Sequence, residues 1–170
     1  MRALKILLPA IAALLLAGCA GYHLGPVNGA EAKARSIEVH PFNNQTLQPR
    51  LGDAITQSLR ERLQTDATYR LATHGDGDVQ VSGEVRQYTR HGLGYLNTDV
   101  STPENFRVDV VAHVTARDRI SGKVILDKEV KGHTFVHVGN DLASAESEAM
   151  PLLAEDLALN IAELLTEGAW

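Results

Sequence analysis

The sequence predicts an α+β fold: a single domain in the order β-α-β-β-β-α, with two helices packed on one face of a mainly antiparallel four-stranded sheet. Three observations predict it. Apolar and polar residues alternate with period two in several stretches, most clearly from Phe106 to Arg117. Two aliphatic stripes recur at helical spacing, Leu51-Ile55-Leu59-Leu63 and Ala149-Leu153-Leu157-Ile161-Leu164. Tight turn signals join the later strands. Strands apolar on one side and helices with one apolar stripe must cover each other, and both helices on one sheet face is the economical solution.

The elements follow in order. Ile37 and Val39 alternate with Glu38 and His40 before Pro41-Phe42, a short first strand. Asn43 to Thr46 reads as a turn, and Pro49 suits the first position of a helix of about four turns carrying the Leu51–Leu63 stripe. Gly75-Asp76-Gly77 is a turn, after which Val79, Val81, Gly83 and Val85 form one side of a half-buried strand. Thr89 to Asn105 is too long for an ordinary connection; it is either a functional loop or a β-hairpin extension. The Phe106–Ala116 strand then turns through Asp118–Gly122 into a return strand with Val124, Leu126 and Val130. Gly132 interrupts that strand, where a bulge is expected. A longer helix runs from about Ser144 to Glu167, with Pro151 in its first turn or at a kink.

The chain has 170 residues, 44% hydrophobic and 22% charged, which fits one globular domain and excludes a wholly disordered chain. Its formal net charge of −5 argues against nucleic-acid binding, which needs a concentrated basic footprint. The single cysteine excludes an intrachain disulfide and a multi-cysteine zinc site.

The N-terminus is an address. Arg2 and Lys5 precede an apolar run from Ile6 to Leu16, too short to span a bilayer and typical of a secretory leader. It ends in Leu16-Ala17-Gly18-Cys19, which resembles the bacterial lipobox. That resemblance implies cleavage after residue 18, lipidation of Cys19 with diacylglycerol, and acylation of the new amine, as with palmitate. Several acyl chains anchor a protein firmly where one gives only marginal binding. Ala20, rather than Asp, after the cysteine favours the outer membrane under the sorting rule of such lipoproteins. Residues 19–35 are small and polar and read as a tether, leaving 36–170 as the domain.

Charge is unevenly spread. From Cys19 to Lys131 there are 14 basic and 14 acidic residues; from Gly132 to Trp170 there are seven acidic and none basic. The last helix would repel anionic headgroups, so it is expected to face the periplasm or a basic patch of a partner.

Catalytic and metal chemistry find little support. His133 and His137 lie four apart in a predicted strand, roughly 13 Å, too far to share one zinc. His113 could neighbour either, without a third ligand. Ser82 and Ser121 precede glycines but lack a nucleophile elbow. Asp76 and Asp78 flank Gly77 like part of a calcium loop whose other ligands are missing. No cofactor and no enzymatic activity are expected.

The motifs together resemble one family. Gly21-Tyr22-His23-Leu24 follows the lipobox, then come Ile37-Glu38-Val39, Phe42-Asn43-Asn44, Pro49-Arg50-Leu51 and Tyr69-Arg70-Leu71. Asp78 opens a strand, Gly83-Glu84-Val85 leads to Tyr88, and Ser121-Gly122-Lys123-Val124 forms a hairpin. This order resembles the LptE family of lipopolysaccharide-assembly lipoproteins. The resemblance implies a lipid-anchored plug inside an LptD-like outer-membrane β-barrel, supporting barrel assembly and lipopolysaccharide insertion. Phosphates of such a ligand would seek cations on the central strands and the long connection: Arg86, Arg90, Arg107, Lys123, Lys128 and Lys131. The opening strand, Asn turn and helix also resemble CsgG-like domains, so a secretion-channel or other envelope-complex subunit is the alternative. Ring-forming proteins of that kind carry membrane-inserting strands, and Thr89–Asn105 is too short and polar to supply them.

Overall fold

The computed structural model describes residues 35–66, 68–96, 99–138 and 141–167. The elements are β1 (Ser36–Val39), β2 (Asn43–Asn44), α1 (Leu51–Asp66), β3 (Arg70–Leu71), β4 (Val79–Leu96), β5 (Asp99–Asp118), β6 (Val124–His137) and α2 (Leu142–Glu167). The α+β class holds, but the sheet is mixed and six-stranded rather than four-stranded. Its order is β3-β1-β4-β5-β6, with β2 also beside β4. β1 runs parallel to both β3 and β4, β2 runs parallel to β4, and β4-β5-β6 is an antiparallel meander. The observed order is therefore β-β-α-β-β-β-β-α. The two added strands have two residues each, too short for alternation to reveal; Asn43–Asn44, read as turn, is one of them.

Both helices cover one sheet face. Val79, Val81 and Val85 of β4, Val108 to Ala116 of β5 at every second residue, and Leu126, Val130 and Val136 of β6 are buried with the helix stripes. Leu51, Ile55, Leu59, Leu153, Leu157, Ile161 and Leu165 are all at least 99% buried. Each such side chain stabilises the fold by roughly 1.5–3 kcal/mol relative to exposure. Polar ties join the layers. Phe42 N donates to Thr56 Oγ1 at 2.9 Å, and Tyr69 donates its hydroxyl to the Leu165 carbonyl at 2.9 Å. The Phe42 ring occupies the place where a side chain at Gly83 would start, so this strand position must be glycine.

Of the two readings of Thr89–Asn105 the structure shows the hairpin extension: β4 and β5 stay paired to Leu96 and Asp99. Other expectations are corrected. Gly132 carries no bulge, because β5 and β6 stay in register from Val108 to Thr134 on through Val110 to Gly132. Its role is close packing: a Cβ there would lie 2.8 Å from Leu157 Cβ and 2.9 Å from the Leu157 main-chain nitrogen. Register shifts fall elsewhere: between Val85 and Gln87 and between Tyr95 and Leu96 of β4, and between Ala116 and Arg117 of β5. Pro151 is not in the first turn of α2; it lies inside the helix, where the alternative reading put it, on an exposed position that leaves the carbonyl of the exposed Ser147 to solvent. Pro49 precedes α1 by two residues, and Arg50 between them takes a left-handed φ of 61°.

Aspartates fix three junctions: the start of β1 beside β4, the β5–β6 turn and the start of α2. Asp78 Oδ2 accepts from both the amide and the hydroxyl of Ser36 at 2.8 Å, and Asp118 Oδ1 accepts from Ile120 N and Ser121 N at 3.1 and 2.8 Å. Asp141 caps α2 through Ser144 N at 2.9 Å. These hydrogen bonds hold all three carboxyls below the ordinary value of 3.8. The stability they contribute is full above that value and is lost as pH falls through their lowered folded-state values.

Two outcomes follow. Gly132→Ala should destabilise the domain by about 1–3 kcal/mol in urea melts, because helix main chain rather than a flexible side chain must move. Asp78→Asn should flatten the loss of thermal midpoint between about pH 5 and about pH 2, while leaving the other two carboxyls to titrate.

Candidate functional site

The face of the sheet away from the helices is polar and solvent-accessible. Register places its residues in rows: His91-Arg107-Phe135, Thr89-Asp109-His133, Gln87-Val111-Lys131 and Glu84-His113-Glu129. Each row takes one outward position from β4, β5 and β6; the alternation is unbroken across these residues of β5 and β6 and shifts once in β4, at the bulge after Val85.

Most charges on this face are already paired. Arg86, on the bulge, reaches Glu84 at 3.5 Å and Glu129 at 3.3 Å. Arg107 Nε donates to Asp109 Oδ1 at 2.9 Å, and the other oxygen of Asp109 lies 3.6 Å from His91 Nε2. His113 Nε2 is 2.6 Å from Asp127 Oδ1, and His137 Nδ1 is 2.7 Å from Asn105 Oδ1. His133 stacks its ring edge-on with Phe135, whose side chain is largely exposed. Among the described residues no group of three His, Cys, Asp or Glu side chains could hold a metal ion.

The six cations selected from sequence do not form one patch. Arg86, Arg107 and Lys131 share the outer face. Arg90 lies on the helix side, where Nη1 contacts Glu146 Oε1 of α2 at 3.0 Å. Lys123 sits in the β5–β6 turn, its carbonyl accepting from Asp118 N at 2.9 Å. Lys128 is exposed on β6 in the alternation of the helix-facing residues Leu126 and Val130. Lys123, Lys128 and Lys131 have no carboxylate within ion-pair distance among the described residues. Cys19 lies outside the described residues.

Sequence reading missed the Arg90-Glu146-Tyr88 cluster. Tyr88 shares Glu146 with Arg90, and burial, followed by the charge of Glu146, pushes its phenol up to about 12. Helix-side parity of Tyr88 and Arg90 was hidden by the bulge, which shifts the alternation after Val85. The His–carboxylate pairs were partly visible, since His113 alternates outward with Arg107 and Asp109. Ser121 donates to Asp118 Oδ1 at 2.8 Å and Asp78 is engaged with Ser36, so both serve turns.

With this geometry in place, comparison with known proteins decides the family. The family model for LptE, lipopolysaccharide-assembly, matches residues 34–166, most of the chain. The chain belongs to the LptE family. The match begins where the described domain begins and ends inside the last turn of α2. The LptE family is an assembly family, not one defined by a reaction. Solved structures share the fold at low identity. A hypothetical protein from Chlamydia trachomatis is 11% identical with a TM-score of 0.57, covering 79% of this chain and 96% of that one. A protein from Xanthomonas campestris is 11% identical with a TM-score of 0.56, covering 78% and 85%. A minor lipoprotein from Acinetobacter baumannii is 15% identical with a TM-score of 0.53, covering 78% and 93%. A search of the curated proteins gives no match.

Removing the charge of Glu146 should lower the Tyr88 phenol while burial keeps it above its ordinary value of 10.0. Phenolate absorbance titrations of the parent and Glu146→Gln, with Tyr88→Phe to assign the signal, measure this. An unchanged high-pH step in Glu146→Gln would remove the charge contribution.

Proposed function

We propose that this LptE-family chain is the lipid-anchored outer-membrane plug of a lipopolysaccharide translocon. In this reading residues 1–18 are removed as a leader and Cys19 carries the lipid. Residues 19–35 span from the membrane, and domain 36–170 seats in an LptD-like β-barrel on its periplasmic side. The plug supports assembly of that barrel and contacts lipopolysaccharide on its way to the outer leaflet. The observation that carries the reading is the family match across residues 34–166.

The arrangement of charges suits transient contact with phosphates. Lys131, Lys123 and Lys128 are exposed cations without a carboxylate neighbour, and a phosphate would meet them without displacing one. Arg107, with one carboxylate partner, would exchange carboxylate for phosphate, a swap of similar charge-assisted hydrogen bonds at the surface, whereas Arg86 is held by two carboxylates and is the less available of the two. The acidic α2 is unsuited to that role and faces the periplasm or a basic region of the barrel.

Affinity isolation of the lipidated full-length protein from detergent-solubilised outer membrane tests the reading. One large β-barrel in equal amount is the expected result; a homo-oligomer without that barrel would sink it. Within such a complex, Arg107→Glu combined with Lys131→Glu should lower lipopolysaccharide retention about tenfold, as for loss of charge-assisted contacts. Glu163→Lys combined with Glu167→Lys should instead weaken barrel association, leaving lipopolysaccharide retention on the isolated protein unchanged.

A further inference from the structure

The sheet has two long flanks, and the fold treats them differently. Along β6, α2 satisfies the outward main-chain groups on either side of Gly132. Asp156 accepts from His133 N at 2.8 Å, and Asn160 donates to the Lys131 carbonyl at 2.8 Å. Such covering prevents a stray strand from adding there. Along β4, β1 and β2 occupy the flank only as far as Val85, whose carbonyl accepts from Gln45 N at 2.9 Å. Asn44 then turns the chain away, its Oδ1 accepting from Thr46 N at 3.0 Å and its Nδ2 donating to the Gln48 carbonyl at 2.7 Å. Beyond that point no strand among the described residues lies beside β4 on this side.

Register identifies the open groups. Lys131 and His133 direct main-chain atoms away from β5, so their partners Val111 and Asp109 turn theirs toward β4, opposite Gln87 and Thr89. Alternation then points the amides and carbonyls of Tyr88, Arg90 and Gly92 off the open flank. None of these groups has a hydrogen-bond partner among the described residues. At the base of this edge lies an open cleft of about 530 Å³ between Gln45–Gln48 and Arg86–Arg90. The side chain of Leu47 is fully exposed at its lip.

We propose that the β4 edge from Tyr88 to Gly92 is a docking site for an extended segment of another protein, which adds to the sheet as a strand. Its chemistry disfavours an anionic lipid, because Arg86 already meets two carboxylates and Arg90 one. The rest of the cleft lining is dominated by uncharged groups: Gln45, Thr46, Gln48, Gln87 and Thr89. The occupant is therefore read through its main chain, is uncharged where it crosses the cleft, and sets an apolar side chain against Leu47. This inference rests on the proposed function in taking the barrel protein as the source of that segment.

Residue-resolved hydrogen exchange tests it, on the lipidated full chain alone and in its equimolar barrel complex. In the free chain the amides of Tyr88, Arg90 and Gly92 should exchange fast, and those of Gln87 and Thr89 slowly. In the complex the first set should slow by about tenfold or more. Gly92→Pro removes one edge donor at a position where a flank strand tolerates proline, and Gly92→Ala keeps that donor. Complex recovery should fall about tenfold for Gly92→Pro relative to Gly92→Ala. A complex that forms without added protection at these amides overturns the edge site and leaves the plug reading standing, as does equal recovery of the two variants. Protection that arises from self-association without the barrel overturns the assigned partner. Absence of any barrel overturns both readings together.

Discussion

The structure depends on how closely α2 can approach β6. At Gly132 the helix backbone of Leu157 comes so near that a single added carbon would sit 2.9 Å from its nitrogen. That approach lets Asp156 and Asn160, one helical turn apart, reach the main chain of β6 on either side of the glycine. It also sets Leu153, Leu157 and Ile161 deep among the sheet's inward valines. A larger residue would lift the helix, and apolar contact and edge protection would be lost together. The acidic character of α2 is thus partly structural, since one of its carboxylates is a main-chain cap.

The same helix determines what the opposite side of the sheet can do. With α1 and α2 packed on one face, the other face keeps the polar half of the long strands β4, β5 and β6. On that face carboxylates and cations are matched almost one to one, through Arg86 with Glu84 and Glu129, and Arg107 with Asp109. Exposed pairs of this kind contribute little to stability. They do keep the face close to neutral locally, so Lys131, which has no carboxylate within ion-pair distance among the described residues, stands out as its accessible cation.

Much of this was legible in the chain. Period-two alternation located β4, β5 and β6, and the two aliphatic stripes located both helices, because burial on one side imposes a period that any reader can count. β2 and β3 were not legible: two residues cannot display a period, and their pairing is decided by what lies beside them. The hairpin beyond Tyr88 was obscured because the bulge at Arg86 reverses which residues face the helices. Gly132 was noticed but given the wrong cause, since sequence cannot tell a glycine that bends a strand from one that admits a neighbouring helix.

The sequence by itself determined the α+β class, the inward faces of the long strands and helices, and a C-terminal segment with no cation. These are properties of local period and composition, which need no partner to be defined. Only the tertiary structure decided which charges meet. Arg90 and Glu146 are 56 residues apart and Arg86 and Glu129 are 43 apart, so their pairing exists only once the sheet has its register and α2 its seat. The open flank of β4 is of the same kind. It is defined by where neighbouring strands stop, and backbone hydrogen bonds between distant segments leave no mark on the order of side chains.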